Sequence, residues 1–88
     1  MKVEYKSSFA RDLRKLNDAA VLAKIQQSIE VVKQVNNLSE VPGVKKLQGQ
    51  GSYYRLRVGE YRVGIIVSGE VVTFVRCLNR KDIYRYFP

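Results

Sequence analysis

The sequence predicts one α+β domain in which an N-terminal helical hairpin packs on one face of an antiparallel sheet of three or four strands. Residues 53–75 alternate β-branched or aromatic residues with polar ones, and glycine-containing turns interrupt the alternation twice. Two stretches nearer the N-terminus repeat apolar residues at helical spacing. The 88 residues suffice for one core, so residues 1–88 are expected to form a single domain.

The first half of the chain is predicted to hold a short strand and both helices. The strand spans residues 2–5, and Ser7 or Ser8 then caps the first helix. Asp18 caps the second helix, which runs to about Val35. The apolar stripes that would face the sheet are Phe9, Leu13 and Leu16 in the first helix, and Leu22, Ile25, Ile29 and Val32 in the second.

The second half is predicted to form the sheet. Residues 38–51 contain several Pro and Gly residues, which indicates a loop with at most a short edge strand around residues 44–47. Three antiparallel strands follow, joined by turns at Gly59-Glu60 and Ser68-Gly69.

One face of the first hairpin is predicted to be basic. A two-residue turn at residues 59–60 pairs Arg57 with Arg62 and turns Arg55 to the same side, while the opposite side is apolar. Like charges directly opposite each other destabilise a sheet. A chain selected for folding alone would avoid them, so the cluster, with Tyr53 beside it, indicates a site for a polyanion.

The charge of the whole chain points the same way. The net charge is +8, and residues 43–88 hold nine basic and three acidic side chains, against seven and five in residues 1–42. The sheet half is therefore the predicted anion-facing half. Lys45 and Lys46 fit two interpretations, solubilising charges on an edge strand or auxiliary phosphate contacts, and the sequence leaves both open.

The C-terminal segment, residues 76–88, interleaves basic and aromatic side chains. This pattern is typical of nucleic-acid sites, where cations bind phosphates and rings stack on bases. Strand alternation places Arg76 with Phe74 on the packed side, where it would close the core edge or pair with a carboxylate. Cys77, the only cysteine, is predicted to be a packed structural thiol.

The composition argues against several kinds of site. The chain has no histidine and one cysteine, so neither a metal site nor a bound cofactor is expected. Its glycines form neither a Walker nor a dinucleotide-binding pattern. The N-terminus lacks the apolar run of a signal peptide and no stretch is long enough to cross a bilayer, so a soluble, cytoplasmic protein is expected.

Three runs of the sequence resemble one protein family. They are Lys46-Leu47, the run YRLRVGEYRV from Tyr54 to Val63, and the run NRKDIY from Asn79 to Tyr84. Together they look like the RelE/ParE superfamily of bacterial toxins from type II toxin–antitoxin modules, and like its RelE branch in particular. The resemblance covers nearly the whole chain, because the length, the leading helical hairpin and the strand order also match.

The resemblance implies a function. Toxins of the RelE branch enter the ribosomal A site and cut mRNA without a metal, by attack of a ribose 2′-hydroxyl on the adjacent phosphate. This chain is accordingly expected to be a ribosome-dependent endoribonuclease that inhibits translation and is neutralised by a cognate antitoxin in a hetero-oligomer. Two alternatives stay open: a ParE-like toxin that inhibits DNA gyrase, and an RNA- or ribosome-binding module that does not cleave.

The resemblance also implies roles for individual residues. Arg62 would hold the scissile phosphate and stabilise the transition state, and Tyr84 would stack on a base or transfer a proton. Many relatives carry histidine at the position of Asn79, and lysines stand at the positions of Arg55 and Arg57, where arginine is too basic to be a general base. The expected catalytic residues are Arg62, Arg80, Tyr84 and Arg57, and the expected RNA- and phosphate-binding residues are Arg55, Lys45, Lys46, Lys81 and Tyr53.

Overall fold

Two helices pack on one side of a single sheet in the computed structural model, which describes residues 1–47, 49 and 51–88. The elements are, in chain order, β1 (Lys2–Tyr5), α1 (Ser7–Arg14), α2 (Ala19–Gln34), a 3₁₀ turn (Leu38–Glu40), β2 (Val44–Lys46), β3 (Tyr53–Val58), β4 (Tyr61–Ser68), β5 (Val71–Asn79) and the single-turn helix α3 (Ile83–Tyr86).

Within the residues that the structure describes, the sheet has five strands in the order β1-β5-β4-β3-β2. All neighbours are antiparallel except β1, which runs parallel to β5. The predicted α+β class and helical layer are confirmed, but the predicted count of three or four strands and the purely antiparallel sheet are wrong. The two edge strands lie where short strands were predicted, at residues 2–5 and around residues 44–47. The parallel pairing of β1 was not predicted, because four residues carry little sequence pattern.

The predicted hairpin register is confirmed. Arg57 lies opposite Arg62 and Leu56 opposite Val63, as a two-residue turn requires. Gly59 has a φ of +58°, a left-handed conformation that glycine adopts without strain. The second turn consists of Gly69 and Glu70, one residue later than predicted, because β4 continues through Ser68.

The helix caps follow the prediction in one helix only. The Asp18 side chain accepts hydrogen bonds from the backbone N–H groups of Ala20 (3.0 Å) and Val21 (3.2 Å), which confirms the cap of α2. The predicted serine cap of α1 is wrong, because Lys6 is the N-cap residue and has no side-chain cap. The Ser8 hydroxyl instead donates to the Val75 carbonyl at 2.6 Å and ties α1 to β5.

The core lies between the helices and the sheet. The predicted apolar stripes face the core. Phe9, Ile25, Ile29 and Val32 are buried, and the other stripe residues are half-buried. The sheet contributes to the core Leu56, Val58, Val63, Ile65, Val72, Phe74 and Cys77.

No helix in the described part of the chain is long and apolar enough to span a membrane.

A register shift in β5 changes which side chains face the core. Gly64 pairs with Arg76 and Ile65 with Phe74, so Val75 has no partner and the alternation reverses after it. The prediction that Arg76 lies on the same face as Phe74 is therefore wrong. The prediction that Arg76 pairs with a carboxylate is confirmed, because Arg76 forms an ion pair with Asp12.

Candidate functional site

The outer face of the sheet, opposite the helices, carries the arginines. Arg55 and Arg57 project from β3 on the side away from the buried Leu56, and Arg62 projects from β4 on the side away from Val63. We call this surface, made by Arg55, Arg57 and Arg62, the arginine face. The predicted segregation of charge and apolar bulk onto opposite sides of the hairpin is confirmed.

Arg62 is held by the backbone of the β3–β4 turn. Its Nη1 donates to the carbonyl oxygens of Gly59 (2.8 Å) and Tyr61 (2.9 Å). Partial burial, together with the neighbouring guanidinium groups of Arg55 and Arg57, lowers the pKa of Arg62. The group stays charged at cellular pH. The neighbouring positive charges account for part of this lowering, and a bound anion would offset that part.

Arg55 bridges two parts of the chain. Its Nη1 donates to the Gly43 carbonyl oxygen at 2.8 Å, and its Nε donates to the Tyr84 hydroxyl oxygen at 3.2 Å. A guanidinium group has no acceptor, so Tyr84 can only accept in this contact. The Tyr84 O–H proton is therefore left to donate to another group.

Arg80 approaches the same site from the loop after β5. Its Nε lies 2.7 Å from Glu60 Oε2, and its backbone N–H donates to the Glu60 carbonyl at 2.8 Å. Both side chains are exposed, 56% for Arg80 and 72% for Glu60, so the ion pair is weak. Arg80 can therefore exchange the carboxylate for a phosphate. Its charge also contributes to lowering the pKa of Arg62.

The C-terminal segment folds back onto the arginine face and places Tyr84 there. Ile83 and Phe87 are buried outside the main core, while Tyr84 between them is exposed. The Phe87 ring sits on Gly64, where a Cβ atom would lie 2.7 Å from the ring. Sequence reasoning missed this contact, although a glycine inside a strand is a signal that another group approaches closely.

The remaining predicted binding residues surround the arginine face unevenly. Lys45 lies opposite Arg55, whereas Lys46 lies opposite Tyr54, whose ring packs against the core. Lys45 is therefore the lysine that shares the arginine side. Tyr53 is half-buried, and its ring lies edge-to-face against that of Phe87 with 5.7 Å between the ring centroids. Lys81 is exposed beside Arg80.

Arg76 and Cys77 are structural. Asp12 Oδ2 accepts from Arg76 Nε at 2.8 Å and from the Cys77 backbone N–H at 2.9 Å, which joins α1 to β5. The hydrogen bond to Asp12 raises the pKa of Arg76, and burial, with a smaller effect of Asp12, raises the pKa of the Cys77 thiol to about 12. Neither group serves the arginine face. The sequence did not identify Asp12 as the partner of Arg76, although an acidic residue beside the Phe9-Leu13 stripe is a signal that a buried carboxylate has a partner.

Carboxylates are scarce around the arginine face. Across residues 1–47, 49 and 51–88, no group of three His, Cys, Asp or Glu side chains is arranged to hold a metal ion. Within the same residues the ion pairs formed by carboxylates involve Lys33, Arg76 and Arg80, and none involves Arg55, Arg57 or Arg62. The three guanidinium groups of the arginine face therefore keep their charge uncompensated.

Comparison with known proteins agrees with this geometry. Residues 3–84 match the family described as the ParE toxin of type II toxin–antitoxin systems, parDE. The chain is 40% identical to toxin RelE3 of Methanocaldococcus jannaschii over 89 residues, with both chains covered completely.

Solved structures give the same result. The toxin in the RelB–RelE antitoxin–toxin complex from Methanococcus jannaschii superposes with a TM-score of 0.82 at 38% identity, covering 97% of this chain and 99% of that one. The archaeal RelE–RelB complex from Pyrococcus horikoshii has a TM-score of 0.74 at 23% identity, covering 93% and 97%, and shows the shared fold. The chain therefore belongs to the ParE toxin family of type II toxin–antitoxin systems, within the RelE/ParE superfamily.

Proposed function

We propose that this toxin is an endoribonuclease that cuts mRNA on the ribosome by attack of a ribose 2′-hydroxyl on the adjacent phosphate. The observation that carries the proposal is the arginine face with Tyr84 at its border and Arg80 beside its turn. RNA supplies its own nucleophile, so the protein need only orient the 2′-hydroxyl, neutralise the phosphate and assist proton transfer.

Each side chain has a role in this proposal. Arg62 and Arg57 bind the non-bridging oxygens of the scissile phosphate, with Arg80 and Lys81 supporting them from the loop after β5. The 2′-oxygen loses its proton to water and bonds to phosphorus, and the bond from phosphorus to the 5′-oxygen breaks. Tyr84 donates its proton to the departing 5′-oxygen, because Arg55 already occupies an acceptor position of its hydroxyl.

Arg55 acts in this proposal chiefly by orienting Tyr84. Its Nε–H donates to Tyr84 and one N–H of Nη1 donates to Gly43, so Nη2 and the second N–H of Nη1 can donate to RNA. Lys45 and Tyr53 border the same surface and extend it for the neighbouring nucleotides. The ribosome would present the message in an extended conformation. Because ribosomes translate mRNA in the cytoplasm, the toxin would act there.

We further propose that a cognate antitoxin neutralises the toxin in a hetero-oligomer. The relatives from Methanococcus jannaschii and Pyrococcus horikoshii were crystallised as complexes with RelB. A net charge of +8 favours an acidic partner. We propose that it covers the helical hairpin and the sheet edge, so that its binding does not depend on Arg62.

A gyrase-directed toxin is the second proposal, because the matching family is named for ParE. Brief induction of the toxin in cells separates the two. The nuclease predicts new 5′ ends inside translated codons of a reporter mRNA, mapped by primer extension, with plasmid DNA intact. Linearised plasmid with an uncut message would instead establish the gyrase target.

The Arg62→Ala variant should leave the message uncut while still binding antitoxin.

A further inference from the structure

A cross-strand row of three residues on the outer face of the sheet lies under the C-terminal segment. Gly64 on β4 lies opposite Arg55 on β3 and opposite Arg76 on β5. Residues directly opposite each other share a face of the sheet, so the two arginines flank the glycine. The Phe87 ring packs on this glycine, where a Cβ atom would lie 2.7 Å from it. The C-terminal segment therefore crosses the sheet between two arginines.

Each of these arginines contacts one tyrosine of α3. The Arg55 Nε–H donates to the Tyr84 hydroxyl oxygen at 3.2 Å. On the other side, the Arg76 Cζ atom lies over the Tyr86 ring, 5.7 Å from its centroid. A guanidinium group within about 6 Å of the centroid of an aromatic ring makes a cation–π contact. The single turn of helix is thus held by β3 through Tyr84 and by β5 through Tyr86.

The helical spacing of α3 shows what the two contacts add to its packing. Ile83 and Phe87 are buried and anchor the turn on the sheet. Successive residues of a helix are rotated by roughly 100° about its axis, so Tyr84 and Tyr86 project roughly 80° to either side of this buried pair. The buried pair sets the position of the axis, and the two tyrosine contacts oppose rotation about it.

We propose that Arg76 is a positioning residue for Tyr84 and acts on it through the ring of Tyr86. The proposal rests on the RNA-cleaving function proposed above and adds to it a residue outside the arginine face. Both tyrosines belong to one helical turn, so rotation that separates Tyr86 from Arg76 also moves the Tyr84 hydroxyl relative to Arg55 and the bound phosphate. Misplacing a reacting group by a fraction of its length is costly in an oriented site.

Arg76 can hold Tyr86 because Arg76 is itself held. Asp12 accepts from Arg76 Nε at 2.8 Å and from Arg76 Nη2 at 3.2 Å, which is the two-pronged contact that fixes the plane of a guanidinium group. Asp12 is 7% exposed and also accepts from the Cys77 backbone N–H. The guanidinium group is therefore positioned by α1 and β5, independently of α3.

The irregularity in β5 accounts for the direction of Arg76. Val75 has no partner on β4, so Arg76 pairs with Gly64 on the outer face, whereas Phe74 pairs with Ile65 in the core. Bulges beside functional sites often redirect a side chain in this way. The bulge therefore supplies the second arginine of the cross-strand row.

The test compares Tyr86→Leu, which removes the ring, with Tyr86→Phe, which keeps it. Tyr86 is 55% exposed, so both variants should fold. Hydrogen exchange in the intact protein is followed by NMR at the Arg55 Nε–H and at the Phe87 backbone N–H, which donates to the Ile83 carbonyl at 2.8 Å. Both protons should exchange about two- to fivefold faster in Tyr86→Leu, the effect of losing one cation–π contact, and at the wild-type rate in Tyr86→Phe. Wild-type exchange in Tyr86→Leu, or equally fast exchange in both variants, would overturn the proposal.

A second background shows whether the effect of Tyr86 depends on Arg76. Asp12→Asn combined with Arg76→Gln replaces the ion pair by a neutral amide pair and leaves no buried charge without a partner. Adding Tyr86→Leu to this background should not quicken exchange further. An undiminished effect of Tyr86→Leu would show that Arg76 is not the residue that holds the ring. The comparison of the two Tyr86 variants decides the proposal alone if this background does not fold.

Cleavage on programmed ribosomes then links the orientation of Tyr84 to the reaction. The single-turnover rate of Tyr86→Leu should be lower than that of Tyr86→Phe by about twofold or more, at an unchanged half-saturating concentration of ribosomes. The difference should disappear in the Tyr84→Phe background. Equal rates, or a difference that persists without the Tyr84 hydroxyl, would refute the positioning role. Quickened exchange in a toxin that never cuts mRNA would instead remove the nuclease and leave the contact between Arg76 and Tyr86 in place.

Discussion

The Nε–H of Arg55 donates to the hydroxyl oxygen of Tyr84 at 3.2 Å and so fixes the direction of the hydrogen bond. Because the guanidinium group cannot accept, the phenol must direct its own proton elsewhere. In a site with no histidine, this arrangement provides an oriented O–H donor next to an uncompensated cluster of cations. The contact therefore makes Tyr84 a proton donor in the proposed reaction.

Replacing Tyr84 by Phe should slow mRNA cleavage on programmed ribosomes about 100-fold or more, since a positioned general acid contributes at least that much. Arg55→Lys keeps the charge but loses the paired Nε and Nη1 donors, and should slow cleavage by a smaller factor. In the Tyr84→Phe background, Arg55→Lys should then have little further effect, because Arg55 acts through the hydroxyl. Single-turnover rates of the four proteins measure this coupling, and additive losses would show that the two residues act separately.

Arg62→Ala should lower the single-turnover cleavage rate about 100- to 1000-fold, the usual effect of removing one donor from a developing negative charge. Arg62→Lys should recover only part of this loss, because an ammonium group cannot reproduce the two-pronged contact of a guanidinium. Arg14→Ala is the matched control, since Arg14 is exposed on α1 away from the arginine face. A loss in Arg14→Ala equal to that in Arg62→Ala would show that net charge and not the site is responsible.

Gly64→Ala should displace the C-terminal segment, because the added Cβ would lie 2.7 Å from the Phe87 ring. We expect a loss of about 1–3 kcal/mol in the free energy of unfolding, measured by urea denaturation. Amide hydrogen exchange should also quicken in α3 while the central strands stay protected. Adding Phe87→Ala to Gly64→Ala should relieve the overlap, so the double variant loses less stability than the sum of the two changes. Strict additivity would mean that the ring does not rest on Gly64.

The buried Cys77 thiol predicts a specific pH dependence of stability. Its pKa is raised from an ordinary value of 9.0 to about 12 by burial. Between these values the unfolded chain releases the proton and the folded chain keeps it, so stability falls as pH rises, by up to about 1.4 kcal/mol per pH unit. Comparing urea unfolding of wild type and Cys77→Ala from pH 8 to 11 isolates this effect from the other alkaline titrations. The difference between the two proteins should shrink above pH 9, and a constant difference would show that the thiol titrates alike in both states.

The sequence predicted best what short-range pattern controls. The pairing of Arg57 with Arg62 follows from a two-residue turn and strict alternation, and both are local. The Asp18 cap and the apolar stripes of the helices are equally local signals. The clustering of the three arginines on one face was therefore predictable without coordinates.

The features that were mispredicted depend on long-range contacts. The parallel pairing of Lys2–Tyr5 with β5 joins residues almost 70 positions apart, and four residues carry no signal of a distant partner. The unpaired Val75 reverses the alternation of β5, so no rule based on period two could place Arg76. The contact of the Phe87 ring with Gly64 is also a tertiary contact. It fixes the C-terminal segment and therefore the position of Tyr84.

The chemical nature of the cut ends tests the central claim most directly. Attack by a 2′-hydroxyl leaves a 2′,3′-cyclic phosphate on the upstream fragment and a 5′-hydroxyl on the downstream fragment. We predict these ends on mRNA recovered from ribosomes treated with the wild-type toxin, and intact message after treatment with Arg62→Ala. Fragments that carry a 3′-hydroxyl and a 5′-phosphate, or a message left whole by the wild-type toxin, would contradict the account.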